Sequence, residues 1–340
     1  MKILFAGWHN PNFKSITEYC ENALIKLGHN LSKFEYRQYL IPGRIRNRIS
    51  ALQNFDIARI NNKLLKTAET FKPDMVFVLQ GVNILPETID KIKRIHGIPC
   101  VNWFIDYPLG FETAAEFGKH YDHVFVITSN STKRLHQIGI KNAKTLYLGC
   151  DQQEHKNVNL TKNEIDIYKK DIVFVGSWYP EREKVISELE GFDIGLWGPG
   201  WNKYTSNPFI NKILLGGQVD PAVWVKIFNA AKIVLNINYG FNRLPDIDCN
   251  PGSTKLFEIM ACGAFQIVDR KNEILDLFTD TKQLATYTDI NDLKTKLKYY
   301  LEHKEERIHI AAAGQKEVLA KHTYEHRMKE MLSIVFPDKN

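Results

Sequence analysis

Asn250-Pro251-Gly252-Ser253-Thr254-Lys255-Leu256-Phe257-Glu258-Ile259-Met260-Ala261-Cys262-Gly263 reads as loop, short helix and turn, and it runs into Ala264-Phe265-Gln266-Ile267-Val268-Asp269, a buried strand. Pro251-Gly252 loosens the backbone, Ser253 or Thr254 serves as N-cap, and Gly263 takes the left-handed position that ends the helix. Uncapped N–H groups at such a helix start attract anions. Thr254 and Glu258 share one face of the helix, while Leu256, Phe257, Met260 and Ala261 turn towards a sheet. A carboxylate one turn above an anion-binding helix start suits the hydroxyls of a ribose or sugar. The alternative is that Glu258 is a solvated helix residue.

The same strand–turn–helix unit recurs on both sides of this stretch. Lys2–Gly7 is a buried strand followed by the polar loop Trp8–Asn12 and a helix over 15–27, and Asn30–Tyr36 alternates like a second strand. A long, basic, largely helical segment from 42 to 71 precedes the buried strand 73–81; helix 86–96 and strand 99–108 follow. Strand 123–128, a helix near 130–138 and a strand over 145–151 complete the first half. Residues 152–170 are polar without periodicity and read as a linker. The alternation restarts with strands at 171–177 and 193–198, helix 220–230 and strand 232–238. The anchor stretch, a helix near 272–278 and three helical runs from 289 onwards close the chain. Strands alternating with helices predict parallel sheets covered on both faces, a doubly wound α/β fold.

The chain has 340 residues, enough for two domains of roughly 150 residues each. Its 44% apolar and 25% charged content is that of a soluble globular protein. No apolar run approaches the ~20 residues needed to span a bilayer, and Ile3-Leu4-Phe5-Ala6 is too short for a signal peptide core, so a cytoplasmic protein is expected. The five cysteines form no CxxC pair and no cluster with histidine, and read as free, mostly buried thiols. The net charge of +6 is concentrated between Lys33 and Lys66, with Arg37, Arg44, Arg46, Arg48, Arg59 and Lys63. That segment is a solvated face, or it meets an anionic acceptor or a membrane surface. Without aromatic interleaving or a recognised motif, nucleic acid is not an expected partner.

Chemistry is expected at strand ends. Gly176-Ser177-Trp178-Tyr179-Pro180-Glu181-Arg182 links a buried strand to a helix, so Arg182 near the helix start can reach an anion, as can Lys255. Trp197-Gly198-Pro199-Gly200-Trp201 is a glycine-rich loop that lets a base or sugar approach the backbone. No GxGxxG opens a helix here and no GxxxxGK[ST] exists, which disfavours NAD and P-loop chemistry. Asp246 and Asp248 lie close together, but no DxD triplet or histidine pair accompanies them, and a metal is not implied. His9 and Asp106 both project from strand ends, and either can take a proton from an acceptor hydroxyl; Asp106 reads equally well as a turn-forming aspartate.

Taken together, the stretch Val173–Arg182, Leu235-Asn236-Ile237-Asn238, Lys255–Gly263, and Ala311–Gln315 with the ending His322-Thr323-Tyr324 resemble the CgeB-type glycosyltransferases, relatives of the retaining, group 1 enzymes of GT-B fold. The resemblance spans most of the chain and is densest over 171–327. It implies two Rossmann-like domains facing a cleft: an acceptor domain over 1–155, a nucleotide-sugar domain over 165–322, and a terminal helix over 323–340 that returns to the first domain. It implies transfer of a sugar from a nucleoside-diphosphate sugar to a hydroxyl on a glycan, protein or small molecule, with no cofactor and no obligatory metal. The donor would meet Ser177, Arg182, Trp197, Gly198, Asn236, Asn250, Gly252, Ser253, Thr254, Lys255 and Glu258. Glu258 matches the second glutamate of the group's E-x7-E motif, which contacts the ribose. Asn250 replaces the first, a departure that bears on the donor sugar and on retention. The two-domain architecture, which a nucleotide-sugar epimerase can share, leaves that reading open, and Asn250 in place of an acidic residue leaves open a non-catalytic nucleotide-sugar-binding protein.

Overall fold

Apolar runs bounded by polar loops become parallel strands. The computed structural model describes residues 1–106, 109–238 and 254–337, and the chain divides into two units, Met1–Tyr147 with Tyr324–Asn340, and Leu148–Thr323.

In the first unit, β1 (Lys2–Gly7), β2 (Asn30–Glu35), β3 (Met75–Leu79), β4 (Cys100–Phe104), β5 (His123–Val126) and β6 (Ala143–Thr145) form one parallel sheet in the order β2-β1-β3-β4-β5-β6. Phe5 stands opposite Lys33 on one neighbour and Phe77 on the other. Every residue of β3 and β4 is buried, as strands covered on both faces require. Helix Ile16–Lys26 starts on a capping box, with the Ser15 N–H donating to Glu18 at 2.7 Å. Helix Pro86–His96 has its proline in the first turn and Gly97 in the left-handed conformation at its end. The last helix, Tyr324–Val335, packs on helix Ile16–Lys26. The Tyr324 ring lies 5.6 Å from that of Tyr19 and 6.4 Å from that of Trp103, and Lys26 pairs with Glu325 at 2.7 Å.

In the second unit, β7 (Ile172–Val175), β8 (Ile194–Trp197), β9 (Leu214–Gly216), β10 (Ile233–Asn236), β11 (Gln266–Asp269) and β12 (Ala285–Tyr287) form a second parallel sheet in the order β12-β11-β10-β7-β8-β9. The anchor stretch provides helix Lys255–Ala261 and, with Gly263 at φ +67, a left-handed turn into β11. The two chain segments at the unit boundary are tied together within this unit: Cys150 bridges Thr323, and the Cys150 N–H donates to the His322 carbonyl at 3.0 Å.

Two local expectations are corrected. The last strand of the first unit is β6, ending at Thr145, because pairing with β5 stops at Val126. The stretch expected as a linker carries helix Lys162–Tyr168, nucleated by a capping box in which the Thr161 N–H donates to Glu164 at 2.8 Å.

Candidate functional site

Parallel α/β sheets gather ligands at the carboxyl ends of the two strands between which the strand order reverses. In the second unit those strands are β7 and β10, and a pocket of about 270 Å³ opens there, near the lower limit for small-molecule sites. Gly176 and Ser177 beyond β7 and Asn236 at the end of β10 line it, together with Tyr179, Arg182, Thr254 and Lys255 from two helix starts. Phe174, Phe228 and Ile259 supply apolar surface.

Pro180 opens helix Pro180–Ser187 and fixes Arg182 in its first turn. The Arg182 side chain is buried over the rings of Phe174 and Tyr179, at 5.3 and 5.1 Å. Its Nε donates to the Ile237 carbonyl and its Nη1 to the Ser177 carbonyl, both at 2.9 Å. Arg182 therefore staples the loop after β7 to the end of β10 while keeping positive charge at the pocket wall.

Lys255 lies with its ammonium 3.2 Å from the centroid of the Trp224 ring and 2.6 Å from Glu258 Oε2. Burial pushes the Lys255 ammonium below its ordinary value, and the Glu258 carboxylate opposes the fall. Burial alone would push the Glu258 carboxyl up, but Lys255, His155 and the Thr254 hydroxyl hold it below the ordinary carboxylate range. His155 Nδ1 accepts the Asp151 N–H at 3.0 Å, which leaves Nε2 facing Glu258 Oε1 at 3.8 Å. Thr254 occupies the N-cap position in a helical conformation, and its side chain makes no capping bond.

The structure sorts the expected residues. Ser177, Arg182, Asn236, Thr254 and Lys255 meet at the pocket. Glu258 does not line it and sits behind Lys255. Asn236 donates to Gln266 Oε1 at 3.3 Å, and Gln266 in turn holds the Leu256 carbonyl at 2.9 Å, joining β10, β11 and the anchor helix. Trp197 belongs to the core with Val173, Val175, Val225 and Phe228. Gly198, at φ +151, has no room for a side chain, since a Cβ would stand 1.9 Å from the Gly176 carbonyl oxygen. Its role is close packing of two loops, and neither Trp197 nor Gly198 lines the pocket. Asn250, Gly252, Ser253, Asp246 and Asp248 lie outside the described residues.

In the first unit the order reverses between β1 and β3, where His9 and Gln80 follow the strands. His9 Nε2 meets Glu21 at 2.8 Å, and its Nδ1 meets Glu35 at 3.1 Å. Burial works against the imidazolium, but Glu21, Glu35 and Glu18 outweigh it and raise His9 above its ordinary 6.5. Both ring nitrogens are thus engaged. Asp106 is exposed beyond the end of β4. Gln80, buried and at φ +65, accepts the N–H groups of Ile105 and Asp106 on its Oε1 at 3.0 and 3.3 Å. A non-glycine residue in that region carries strain that surrounding structure must hold.

Residues 182–333 match a family model described as glycosyl transferase-like. The chain is 24% identical over 283 residues to spore protein CgeB of Bacillus subtilis (strain 168), covering 79% of this chain and 85% of that protein. Anabaena HepE in complex with UDP-glucose superposes with a TM-score of 0.62 at 14% identity, covering 98% of this chain and 99% of that one. Sucrose-phosphate synthase of Thermosynechococcus elongatus gives 0.70 at 11% identity over 99% of both chains. The fold is GT-B, and the chain is similar to CgeB over most of its length. The glycosyl transferase-like stretch contains Arg182, Asn236, Thr254 and Lys255, and so most of the pocket's polar groups. Among its described residues no helix is long and apolar enough to cross a membrane. Among the same residues no three His, Cys, Asp or Glu side chains are grouped to hold a metal.

Three residues escaped the sequence reading. His155 sits in a polar stretch with no periodicity to mark it. Asp269, at the end of β11, accepts the Asn238 N–H at 2.7 Å. Burial raises its carboxyl against the pull of that bond and of Lys271. Gln80 precedes Gly81, which sequence reasoning would choose for the positive φ; here both residues adopt it.

Proposed function

We propose that this protein is a glycosyltransferase that moves a sugar from a nucleoside diphosphate to an acceptor hydroxyl, with retention at the sugar's C1 and without a divalent metal. The observation that carries this reading is Lys255 at the switch point of the second sheet, held by Glu258 and Trp224 within the glycosyl transferase-like stretch.

A diphosphate placed against Ser177, Thr254 and Lys255 meets an ammonium whose charge Glu258 preserves. In transfer, the bond between C1 and the diphosphate oxygen breaks, its electron pair stays with the diphosphate, and the acceptor oxygen bonds to C1 as its proton departs. Fixed positive groups facing the leaving oxygen need no reorganisation, and one preorganised donor of this kind is worth roughly 3–4 kcal/mol. Lys255 and Arg182 at one pocket support a metal-free reaction. Retention follows the resemblance to the group 1 enzymes. The ribose contact expected of Glu258 becomes an indirect one, in which the carboxylate positions Lys255. We assign the acceptor to the first unit, and the proton to Asp106, because His9 has both nitrogens engaged. The buried thiols of Cys20, Cys100, Cys150 and Cys262, none of them in a disulfide, fit the cytoplasm.

HepE, alike in fold, is solved with UDP-glucose, so uridine diphosphate sugars are the first donors to try. The test is a thermal-shift screen against UDP, GDP, dTDP, CMP and ADP with their sugar conjugates, followed by product analysis with and without chelator. A ligand at 100 times its Kd stabilises by ~2.7 kcal/mol. A selective shift, and then an acceptor-dependent product that keeps its anomeric configuration in chelator, is the expected result. Donor turnover without acceptor would make the protein an epimerase, and binding without turnover a nucleotide-sugar-binding protein.

A further inference from the structure

The segment that leaves β2 carries an unusual surface. Leu40 is 67% exposed, Ile45 50%, Ile49 48% and Phe55 58%, four large apolar side chains within sixteen residues. Exposed Arg44 and Arg48 alternate with them, and Lys63 and Lys66 continue the positive charge along helix Ser50–Phe71. Between Gln38 and Lys66 the sequence holds one acid, Asp56. It is fully buried and accepts the N–H groups of Leu40 and Ile41, both at 3.0 Å, with Arg59 Nε at 3.4 Å. The surface of the segment therefore shows positive and apolar groups and no negative one, and its one carboxylate pins Leu40 and Ile41 to the helix.

A single exposed isoleucine needs no explanation. Apolar side chains interleaved with arginines do, because a soluble anion would be met by the arginines alone and gains nothing from Leu40, Ile45, Ile49 or Phe55. Nucleic acid would call for a series of stacking rings, and with the Tyr39 ring covered by Arg46 at 3.3 Å the segment offers Phe55 alone. A bilayer rich in anionic lipid satisfies both halves, with apolar side chains entering the headgroup–acyl boundary and cations drawn to the surface potential. We propose that the surface Leu40–Phe55 docks the protein on an anionic membrane, with Leu40, Ile45, Ile49 and Phe55 inserted shallowly and Arg44 and Arg48 against the headgroups. This inference is independent of the transferase reading.

The test is co-sedimentation of the full chain with vesicles of phosphatidylcholine alone or with phosphatidylglycerol, at low and high salt. Binding should require the anionic lipid and weaken with salt. Each arginine near such a surface is worth ~1 kcal/mol, so Arg44→Gln with Arg48→Gln should weaken binding about 30-fold. Phe55→Ser, which leaves the charge intact, should weaken it about tenfold, and Ile45→Ser with Ile49→Ser at least as much. All five side chains are surface residues, and an unchanged thermal midpoint confirms the fold of each variant. Absence of binding to anionic vesicles, or equal binding to both kinds, overturns the proposal. So does binding that responds to the arginines alone and is competed off by RNA or polyglutamate, which would make this a site for a soluble polyanion.

Discussion

The two sheets have the same size and the same parallel construction, yet their switch points are furnished in opposite ways. Between β7 and β10 the second unit places Arg182 and Lys255 at a pocket wall, with Glu258 set behind the lysine. Between β1 and β3 the first unit places His9 between two carboxylates and the strained Gln80 behind Asp106. One end displays positive charge; the other consumes it. An identical backbone device is thus turned by a handful of side chains into a pocket edged by positive charge in one unit and a hydrogen-bonded scaffold of paired charges in the other. Fold alone would have assigned both the same role.

The contrast is broken most severely at Lys255. Lys255→Met strands a buried carboxylate and should cost ~3–5 kcal/mol in urea unfolding, with nucleotide binding lost. Lys255→Met with Glu258→Leu should regain most of that stability and none of the binding. Recovery of both would show that the pair serves packing only. At Gln80 the effect is intermediate. Gln80→Ala leaves the Ile105 and Asp106 N–H groups without their acceptor and should cost ~1–3 kcal/mol. Gln80→Gly, which relieves the strain at φ +65, should cost less, and both should raise the acceptor KM more than the donor KM. The smallest effect belongs to His9. Its raised value means that its stabilising contribution is fully present below 6.5 and fades as pH rises through the folded value. His9→Gln should therefore lower the unfolding free energy at pH 6 by ~1 kcal/mol and leave it nearly unchanged at pH 9. Equal losses at both pH values would show that the ring is held by shape and not by charge.

Much of this was readable from residues. Met75–Leu79 and Ile172–Val175 are continuous apolar runs that only a strand buried on both faces explains, and Gly97 and Gly263 mark helix ends because each takes a positive φ. The three-residue strands β9 and β12 were not readable, because such short segments are strands by virtue of their neighbours' registers. The sequence placed Arg182 and Lys255 at helix starts, and both line one pocket there. Trp197 misled, since its ring is accommodated by Gly195 and Gly216, where a Cβ would approach it to 2.6 and 2.7 Å. Gly216 lies in the neighbouring strand and is related to Trp197 only once β8 and β9 are paired. Gln80 and His155 depend on contacts with residues 25 and 103 positions away, which no local pattern encodes.

The helix Tyr324–Val335 has a consequence for synthesis on the ribosome. The first unit begins at Met1 but closes around Tyr19 and Trp103 only when Tyr324 arrives. The 176 residues of Leu148–Thr323 are made in between. At 5–20 residues per second that interval is roughly 9–35 s, during which the nascent first unit waits with an unfilled seam. The second unit, although later in the chain, is the first whose every part has been synthesised.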